Sequence, residues 1–437
     1  MVLPEAGTGR MAVMVQHADL LIVNASELIV GSASPLRGSA LGGLNLVPDG
    51  AVALVDGRVA AVGATADIVA AWTAHETFDA RGRLVSPGFV DSHAHLVHAG
   101  PRHVEWEARA TGVPKHGIDG GIRWSIARTR EASDEAMRAE AVGLLDIALE
   151  HGTTVFETKT GYGLDVETEL RLLCIANGLQ HPIDVITTYL GAHVVPAEYA
   201  DRRSEYIDLV ISMIDRVRGE CDWFDVWCDP IAFTPDETRR MAQAALAVGM
   251  KIRLHADQTG SAGAVGLGVE LGARSVDHLE HISNADLTAL AASDTVGIVL
   301  PAVTFHMLEG GPHVGPWCRR LIDSGSVIAV ATDYNPGTCP TISMQMVLQC
   351  AARIYRMSYA EAWNAATCNA AASLDLSGDA GCLLPGARAD IVVWNAAEHG
   401  QVINRFGYNQ VDRVYVGGDL QVVGGRRISS SAVTSPN

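Results

Sequence analysis

Two histidines one residue apart, His93 and His95, close the run Pro87-Gly-Phe-Val-Asp-Ser-His-Ala-His95. On an extended strand, side chains two positions apart point to one face. The two imidazoles can therefore converge at the strand's end, as two ligands of one metal ion must. Alone, such a pair is more often a surface or core feature than a ligand pair. Other chemistry-bearing residues stand at the ends of later apolar runs, however. Thr153–Glu157 leads into Glu157-Thr-Lys-Thr-Gly-Tyr162-Gly, Ile183–Tyr189 into Leu190-Gly-Ala-His193, and Lys251–His255 into Ala-Asp-Gln258. Ser275–His278 ends in Asp277-His-Leu-Glu280, and Val327–Thr332 runs into Asp333-Tyr-Asn335-Pro-Gly-Thr338. Each residue singly has an ordinary reading as a core or capping group. Their recurrence at successive run ends does not.

Metal chemistry selects a ligand set from these residues. His93, His95 and His255 offer three neutral nitrogens and Asp333 a carboxylate oxygen, which suits zinc or iron(II) and leaves room for water. Zinc lowers the pKa of its water to about 7. A carboxylate beside that water can take its proton and pass it to a leaving nitrogen, the role expected of Asp333. His278 is expected to hydrogen-bond the attacking water or to polarise the carbonyl under attack. Lys159 needs separate weighing, because some binuclear barrels bridge two metals through a carbamylated lysine. Here it lies in a Thr-Lys-Thr-Gly-Tyr-Gly turn and is read as structural or as a support behind the ligands, so the site is read as mononuclear. The expectation is one divalent ion, zinc first and iron second.

Such residues need a frame that presents many strand ends together. The middle of the chain supplies eight strand candidates: Leu84–Val90, Thr153–Glu157, Ile183–Tyr189, Phe224–Cys228, Lys251–His255, Ser275–His278, Gly297–Pro301 and Val327–Thr332. Amphipathic stretches fall between them, among them Ser133–His151, Val166–Gln180, Ala200–Arg218, Pro235–Val248 and Ala262–Leu271. Ser358–Leu374 is Ala-rich and reads as helix. Strand and helix in alternation predict an α/β fold, a (β/α)8 TIM-like barrel with its site at the C-terminal strand ends. Both chain ends are β-rich instead: Ala18–Val23, Ala51–Val55 and Arg58–Val62 at one, Ala389–Trp394, Arg413–Val416 and Leu420–Val423 at the other. Neither end has enough strands to bury a face alone. A shared small β-sandwich domain is therefore expected, with residues 1–86 and 376–437 flanking a barrel of 87–375.

Composition bounds the function. A chain of 437 residues that is 48% hydrophobic can bury a large core. A formal charge of −18 argues against nucleic acid or an anionic membrane as partner. The eight cysteines form no Cys-x-x-Cys pair, and no apolar run reaches the ~18 residues of a membrane span. A reducing cytoplasm is the expected compartment.

The pattern resembles the amidohydrolase superfamily, and within it the imidazolonepropionase family of histidine degradation. The stretches that carry the likeness are Pro87–Arg102, Thr160-Gly-Tyr-Gly-Leu-Asp165, Leu190-Gly-Ala-His-Val-Val-Pro196, His255-Ala-Asp-Gln258, Asp277-His-Leu-Glu280 and Ala331-Thr-Asp-Tyr-Asn-Pro-Gly-Thr338. Cys228 and the 395–411 region are also similar. The resemblance implies hydrolytic opening of 4-imidazolone-5-propanoate to N-formimidoyl-L-glutamate by metal-activated water. It implies that Arg102 holds the propionate carboxylate. Tyr162, His193 and Gln258 would contact the ring or side chain, with Gln258 also counted among the catalytic groups beside Asp333 and His278. Asn335, Gly337 and Thr338 would bind substrate and product through side chain and backbone. A homodimer is implied as well.

Two departures stand out. The family usually carries a substrate-side Tyr before a Gly-Gly-Gly-Ile segment, whereas residues 112–122 here are shorter and lack it, leaving Lys115 or His116 as replacements. His98 stands where the family tends to an apolar aromatic residue, and its parity places it behind His93 and His95. The alternatives are a relative acting on another or modified imidazolone ring, or a deaminase of an amino-substituted heterocycle. A deaminase would offer a Glu two or three residues past His255, where Asp257 and Gln258 stand. A non-catalytic scaffold would tend to have lost ligands that this chain keeps.

Overall fold

The computed structural model describes residues 15–113, 120–309 and 311–428. Eight parallel strands carry the site, neighbours in the sheet in the same order as along the chain: Phe89–Asp91, Thr153–Lys159, Asp184–Ala192, Trp223–Cys228, Lys251–Ala256, Ser275–His278, Val296–Val299 and Val327–Val330. Nearly all of their residues are buried, as a parallel sheet covered by crossover helices requires. The ends of the path return to each other. Ala94 bridges Tyr334, the His95 N–H donates to the Tyr334 carbonyl (2.8 Å), and the Asp333 N–H donates to the His93 carbonyl (2.9 Å). The sheet is thus nearly closed, and the join lies at the ligand-bearing segments themselves.

The helices begin where their sequences cap them. Ser133 accepts from the Ala136 N–H ahead of Asp134–Glu150. Thr234 and Glu237 form a reciprocal capping box at Pro235–Ala247, with proline in the first turn. Among the described residues no helix is long and apolar enough to cross a membrane.

A separate nine-stranded mixed sheet draws on both chain ends. Gln16–Ile29, Leu46–Val55, Arg58–Ala64, Trp72–Asp79 and Val85–Pro87 come from the first part; Ile391–Trp394, Val411–Val416, Asp419–Val423 and Arg426–Arg427 come from the last. The halves meet where Val85–Pro87 pairs antiparallel with Ile391–Trp394. Two apolar clusters form on it, one around Ile22, Leu54 and Ile391, the other around Leu21, Ala53 and Ile68.

Several sequence-based elements are corrected. Leu84–Val90 is not one strand: Val85–Pro87 belongs to the mixed sheet and Phe89–Asp91 to the parallel one. Gly88 makes the crossing possible, since a Cβ there would lie 2.2 Å from Thr154 Oγ1. Ser358–Leu374 divides into Tyr359–Ala365 and Cys368–Ala372 at Thr367, whose ψ of −99° is not helical. The strand expected to reach Pro301 ends at Val299, and Pro301 opens a short helix, where its missing N–H is harmless. Trp72–Asp79 was not foreseen, because it is a largely exposed strand without an apolar alternation.

Candidate metal centre and active site

His93 and His95 follow the first parallel strand, His255 lies in the fifth, His278 ends the sixth, and Asp333 follows the eighth. One donor atom from each of His93, His95 and His255 lies within 4.8 Å of the others, and the same holds for His93, His278 and Asp333. Asp333 Oδ1 is 3.6 Å from Nε2 of both His93 and His95, and Oδ2 is 3.9 Å from His278 Nε2. All five side chains are buried.

The hydrogen bonds behind the histidines decide which nitrogen faces the centre. His93 Nδ1 lies 2.6 Å from Asp277 Oδ2, and His255 Nδ1 lies 3.0 Å from Asp225 Oδ2. An imidazole whose Nδ1–H is tied to a carboxylate presents its Nε2 lone pair on the other side, as a metal ligand must. His93 Nε2 is buried with no hydrogen-bond partner. Such an atom costs about 1–3 kcal/mol, which a cation would recover. Burial, with the charges of Lys159 and the other histidines, holds His93 well below its ordinary pKa. Burial, with His193 and His255, does the same for His95. Both are therefore neutral, the ligating form, and the donor set fits a divalent cation.

Burial pushes Asp333 up to about 6 against the opposing charges of His278 and His255. Burial alone would lower His278, but Glu280, Asp333 and Asp277 outweigh it and raise its pKa. His278 and Leu279 both have left-handed backbone, with φ of 85° and 74°. Such conformations cost about 1–3 kcal/mol per non-glycine residue. They are held by the Leu279 N–H donating to the Ala256 carbonyl (3.1 Å) and the His281 N–H to that of Asp257 (2.9 Å).

A cavity of about 190 Å3 opens on this cluster, and Arg102, Tyr162, His193, Gln258, Asn335 and Thr338 all line it with Ile122 and Trp227. Larger spaces of about 530 and 690 Å3 adjoin it, but neither is lined by His95, His255 or Asp333. His193 stacks on His95 at 5.3 Å between ring centres, and its Nδ1 lies 3.0 Å from the Gly161 carbonyl. Arg102 donates from Nε and Nη2 to the two carboxylate oxygens of Glu105 at 2.7 and 3.0 Å. The Gly337 N–H donates to Asn335 Oδ1 at 2.8 Å, which leaves its carbonyl as the backbone group for a ligand. Asn335 is itself an organiser of that turn, also accepting from the Thr338 N–H and donating to the Asp333 carbonyl and Thr338 Oγ1. His98 lies behind Tyr162 and Tyr334 at ring distances of 5.4 and 5.9 Å. Lys115 and His116 lie outside the described residues.

Sequence reasoning picked out Glu157, Lys159 and Asp277 at run ends but missed Asp225 and Arg253, and with them the layer beneath the ligands. Glu157, Lys159, Asp225, Arg253 and Asp277 are fully buried and form one ionic network. The signal was present: Glu157 and Lys159 share a face of their strand, and Asp225, Arg253 and Asp277 interrupt apolar strands. Charged residues so placed need one another. Trp227, in the cavity wall, was also missed, although it directly precedes Cys228 in the sequence.

Comparison with known proteins agrees with this geometry. Residues 84–420 match the amidohydrolase family. The chain is 39% identical over 422 residues to the imidazolonepropionase of Geobacillus thermodenitrificans, covering 93% of this chain and 99% of that one. It is 44% identical over 385 residues to that of Salinispora tropica, covering 87% and 93%. Among solved structures, a zinc-bound adenosine deaminase from Xanthomonas campestris has a TM-score of 0.64 at 19% identity over 96% of both chains. The guanine deaminase of E. coli has a TM-score of 0.66 at 17% identity, over 92% of this chain and 98% of that one. At such identities the likeness is one of fold.

Proposed function

The chain belongs to the amidohydrolase family, among the imidazolonepropionases, and from that premise we propose that it opens 4-imidazolone-5-propanoate with water to give N-formimidoyl-L-glutamate. The observation that carries the reading is a single small cavity lined at once by Arg102 and by His95, His255 and Asp333. A five-membered ring with a short acid chain is the size of ligand such a volume suits, below the ~300 Å3 at which sites for larger ligands begin.

His93, His95, His255 and Asp333 would hold the ion, zinc or iron, which when bound supplies Lewis acidity and a water of lowered pKa. Asp333 accepts the proton of the attacking water and returns it to the ring nitrogen as the C–N bond breaks. His278 donates from Nε2 to the carbonyl oxygen as negative charge develops there. Arg102 binds the propionate carboxylate from the part of its fork that Glu105 leaves open. Tyr162, His193 and Gln258 contact the ring. Asn335 holds the turn that brings Thr338 to the cavity, and Gly337 leaves room for Arg102.

The deaminase reading loses its expected acid. Asp257 spends its carboxylate on the N–H groups of Ala262, Ala264 and Val265 at 2.6–3.3 Å, and Gln258, which cannot donate an acidic proton, lines the cavity. We read the two sheets as a (β/α)8 barrel, 87–375, and a β-sandwich from 1–86 and 376–437, with Pro87 itself still paired in the mixed sheet. The Ala94–Tyr334 bridge and the crossing at Gly88 support that division. The test is to measure bound metal, then to assay imidazolone propionate beside a panel of cyclic amides and aminoheterocycles. Formimidoylglutamate is the expected product. A metal-loaded enzyme that opens another ring and leaves imidazolone propionate untouched refutes the substrate and keeps the class.

A further inference from the structure

We infer that Lys159 is a positioning residue for the metal-ligating histidines: its ammonium clamps Asp225 and Asp277 in the places from which they hold His255 and His93. The inference rests on the metal-site reading above. Lys159 Nζ lies 2.8 Å from Glu157 Oε1, 3.0 Å from Asp225 Oδ2 and 3.8 Å from Asp277 Oδ2, with all four side chains at 0% exposure. The atoms involved are the telling point. Asp225 Oδ2 is also the oxygen that meets His255 Nδ1, and Asp277 Oδ2 is also the one that meets His93 Nδ1. Each aspartate thus uses a single oxygen to face both an imidazole and the lysine.

Three buried carboxylates share this space with two cations, Lys159 and Arg253. Arg253 comes within 3.8 Å of Asp277 Oδ2 and 4.0 Å of Glu157 Oε1, while donating to the Ser92 and Ser373 carbonyls. Its fork is committed in several directions, whereas an ammonium is a point charge with three rotatable donors. Without it, repulsion among like charges in a dry site would drive a carboxylate to swing away. The oxygen facing Nδ1 would then change its hydrogen-bonding role, and the imidazole would lose the orientation that aims Nε2 at the centre. The same geometry counts against a carbamylated Lys159. A carbamate there would add a further negative charge among three carboxylates.

The experiment compares wild type with Lys159→Met, which keeps the length and removes the charge. Metal-free protein of each is titrated with Zn2+ against a chromophoric chelator, its thermal transition is recorded, and the visible spectrum of the Co2+ form is taken. The expected result is a cooperative transition in both, with Zn2+ affinity about 10–100-fold weaker in the variant and an altered Co2+ spectrum. Equal affinities and spectra, with only the melting temperature lowered, overturn the clamp and leave Lys159 a fold-stabilising charge. Should Lys159→Met not fold, Glu157→Gln removes the lysine's nearest anchor and keeps both Asp–His bonds. Weakened Zn2+ binding then supports the clamp, and wild-type affinity overturns it. Wild-type protein heavier by one CO2, taking up metal only with bicarbonate, overturns it in favour of a carbamate. Wild-type protein that binds no Zn2+ refutes the metal-site reading itself, an outcome distinct from equal affinities in the two proteins.

Discussion

Gly337→Ala tests how the proposed carboxylate site is built, and its effect can be worked from distances. A Cβ at Gly337 would sit 1.9 Å from Arg102 Nη1, 2.3 Å from Cζ and 2.8 Å from Nη2. Ordinary contact needs about 3.5 Å, so the guanidinium must retreat by roughly 1.5 Å. It cannot do so freely, because its other edge is tied to Glu105 at 2.7 and 3.0 Å and Glu105 also accepts from the Gly121 N–H at 2.6 Å. The fork therefore leaves its place, and a charge-assisted hydrogen bond to the substrate carboxylate is lost. Such a bond contributes about 1.5–3 kcal/mol, or roughly 10- to 150-fold in affinity. The backbone tolerates alanine, since Gly337 does not occupy the left-handed region, and Asn335 keeps its bond to the residue-337 N–H. KM for imidazolone propionate should rise about thirtyfold, the middle of that range, with kcat within about threefold. A ring analogue without the carboxylate should show no KM change between the two enzymes. Steady-state kinetics on both substrates would falsify the reasoning if KM for the acid stayed within twofold of wild type, or if both substrates suffered alike.

Other perturbations separate the remaining roles. Asp333→Asn removes the proposed proton carrier and should lower kcat by about 10²–10⁴-fold; single-turnover measurement at saturating metal checks this, and full activity would remove Asp333 from the mechanism. Dialysis against a chelator should abolish turnover, and stoichiometric Zn2+ or Fe2+ should restore it, with metal analysis identifying the native ion. Burial and the nearby Arg102 charge hold His98 down to about 4, so the native state keeps it neutral while the unfolded chain takes up a proton below about 6.5. Its contribution is complete above that value and is lost as pH falls toward 4, on the order of 3 kcal/mol in all. Thermal melts between pH 7 and 4 should show a shallower decline for His98→Phe than for wild type, and parallel curves would contradict the assignment.

Legibility followed the kind of signal each residue sends. His93, His95, His255, His278 and Asp333 stood out because polar groups at the ends of apolar runs break a pattern that packing alone would continue. A parallel sheet whose strand ends gather at one rim turns that break into a site. The helices from Ser133 to Leu271 were readable for a like reason, with observed bounds differing at the caps by a few residues. What escaped was whatever depends on a neighbour distant in sequence. Gly88 looks like a residue inside a strand until Thr154 packs against it. Gly337 looks like a turn glycine until Arg102, two hundred residues and more before it, lies across its Cα.

The buried network makes the same point about charge. Glu157, Lys159, Asp225, Arg253 and Asp277 come from four strands adjacent in the parallel sheet or one removed. Each alone is an anomaly in an apolar run, costly unless paired. Register supplies the pairing: Arg253 is level with Asp225, and His255 with both Trp227 and Asp277. In a parallel sheet that offset repeats every two residues on one face. A charged residue two positions before a ligand, or level with it on the next strand, is therefore placed to reach the ligand's far nitrogen. Asp225 meets His255 in this way, whereas Asp277, level with His255, reaches His93 after the first parallel strand instead. Lys159 then follows from charge balance, since two ligand-holding aspartates and a glutamate cannot share a dry interior without cations between them.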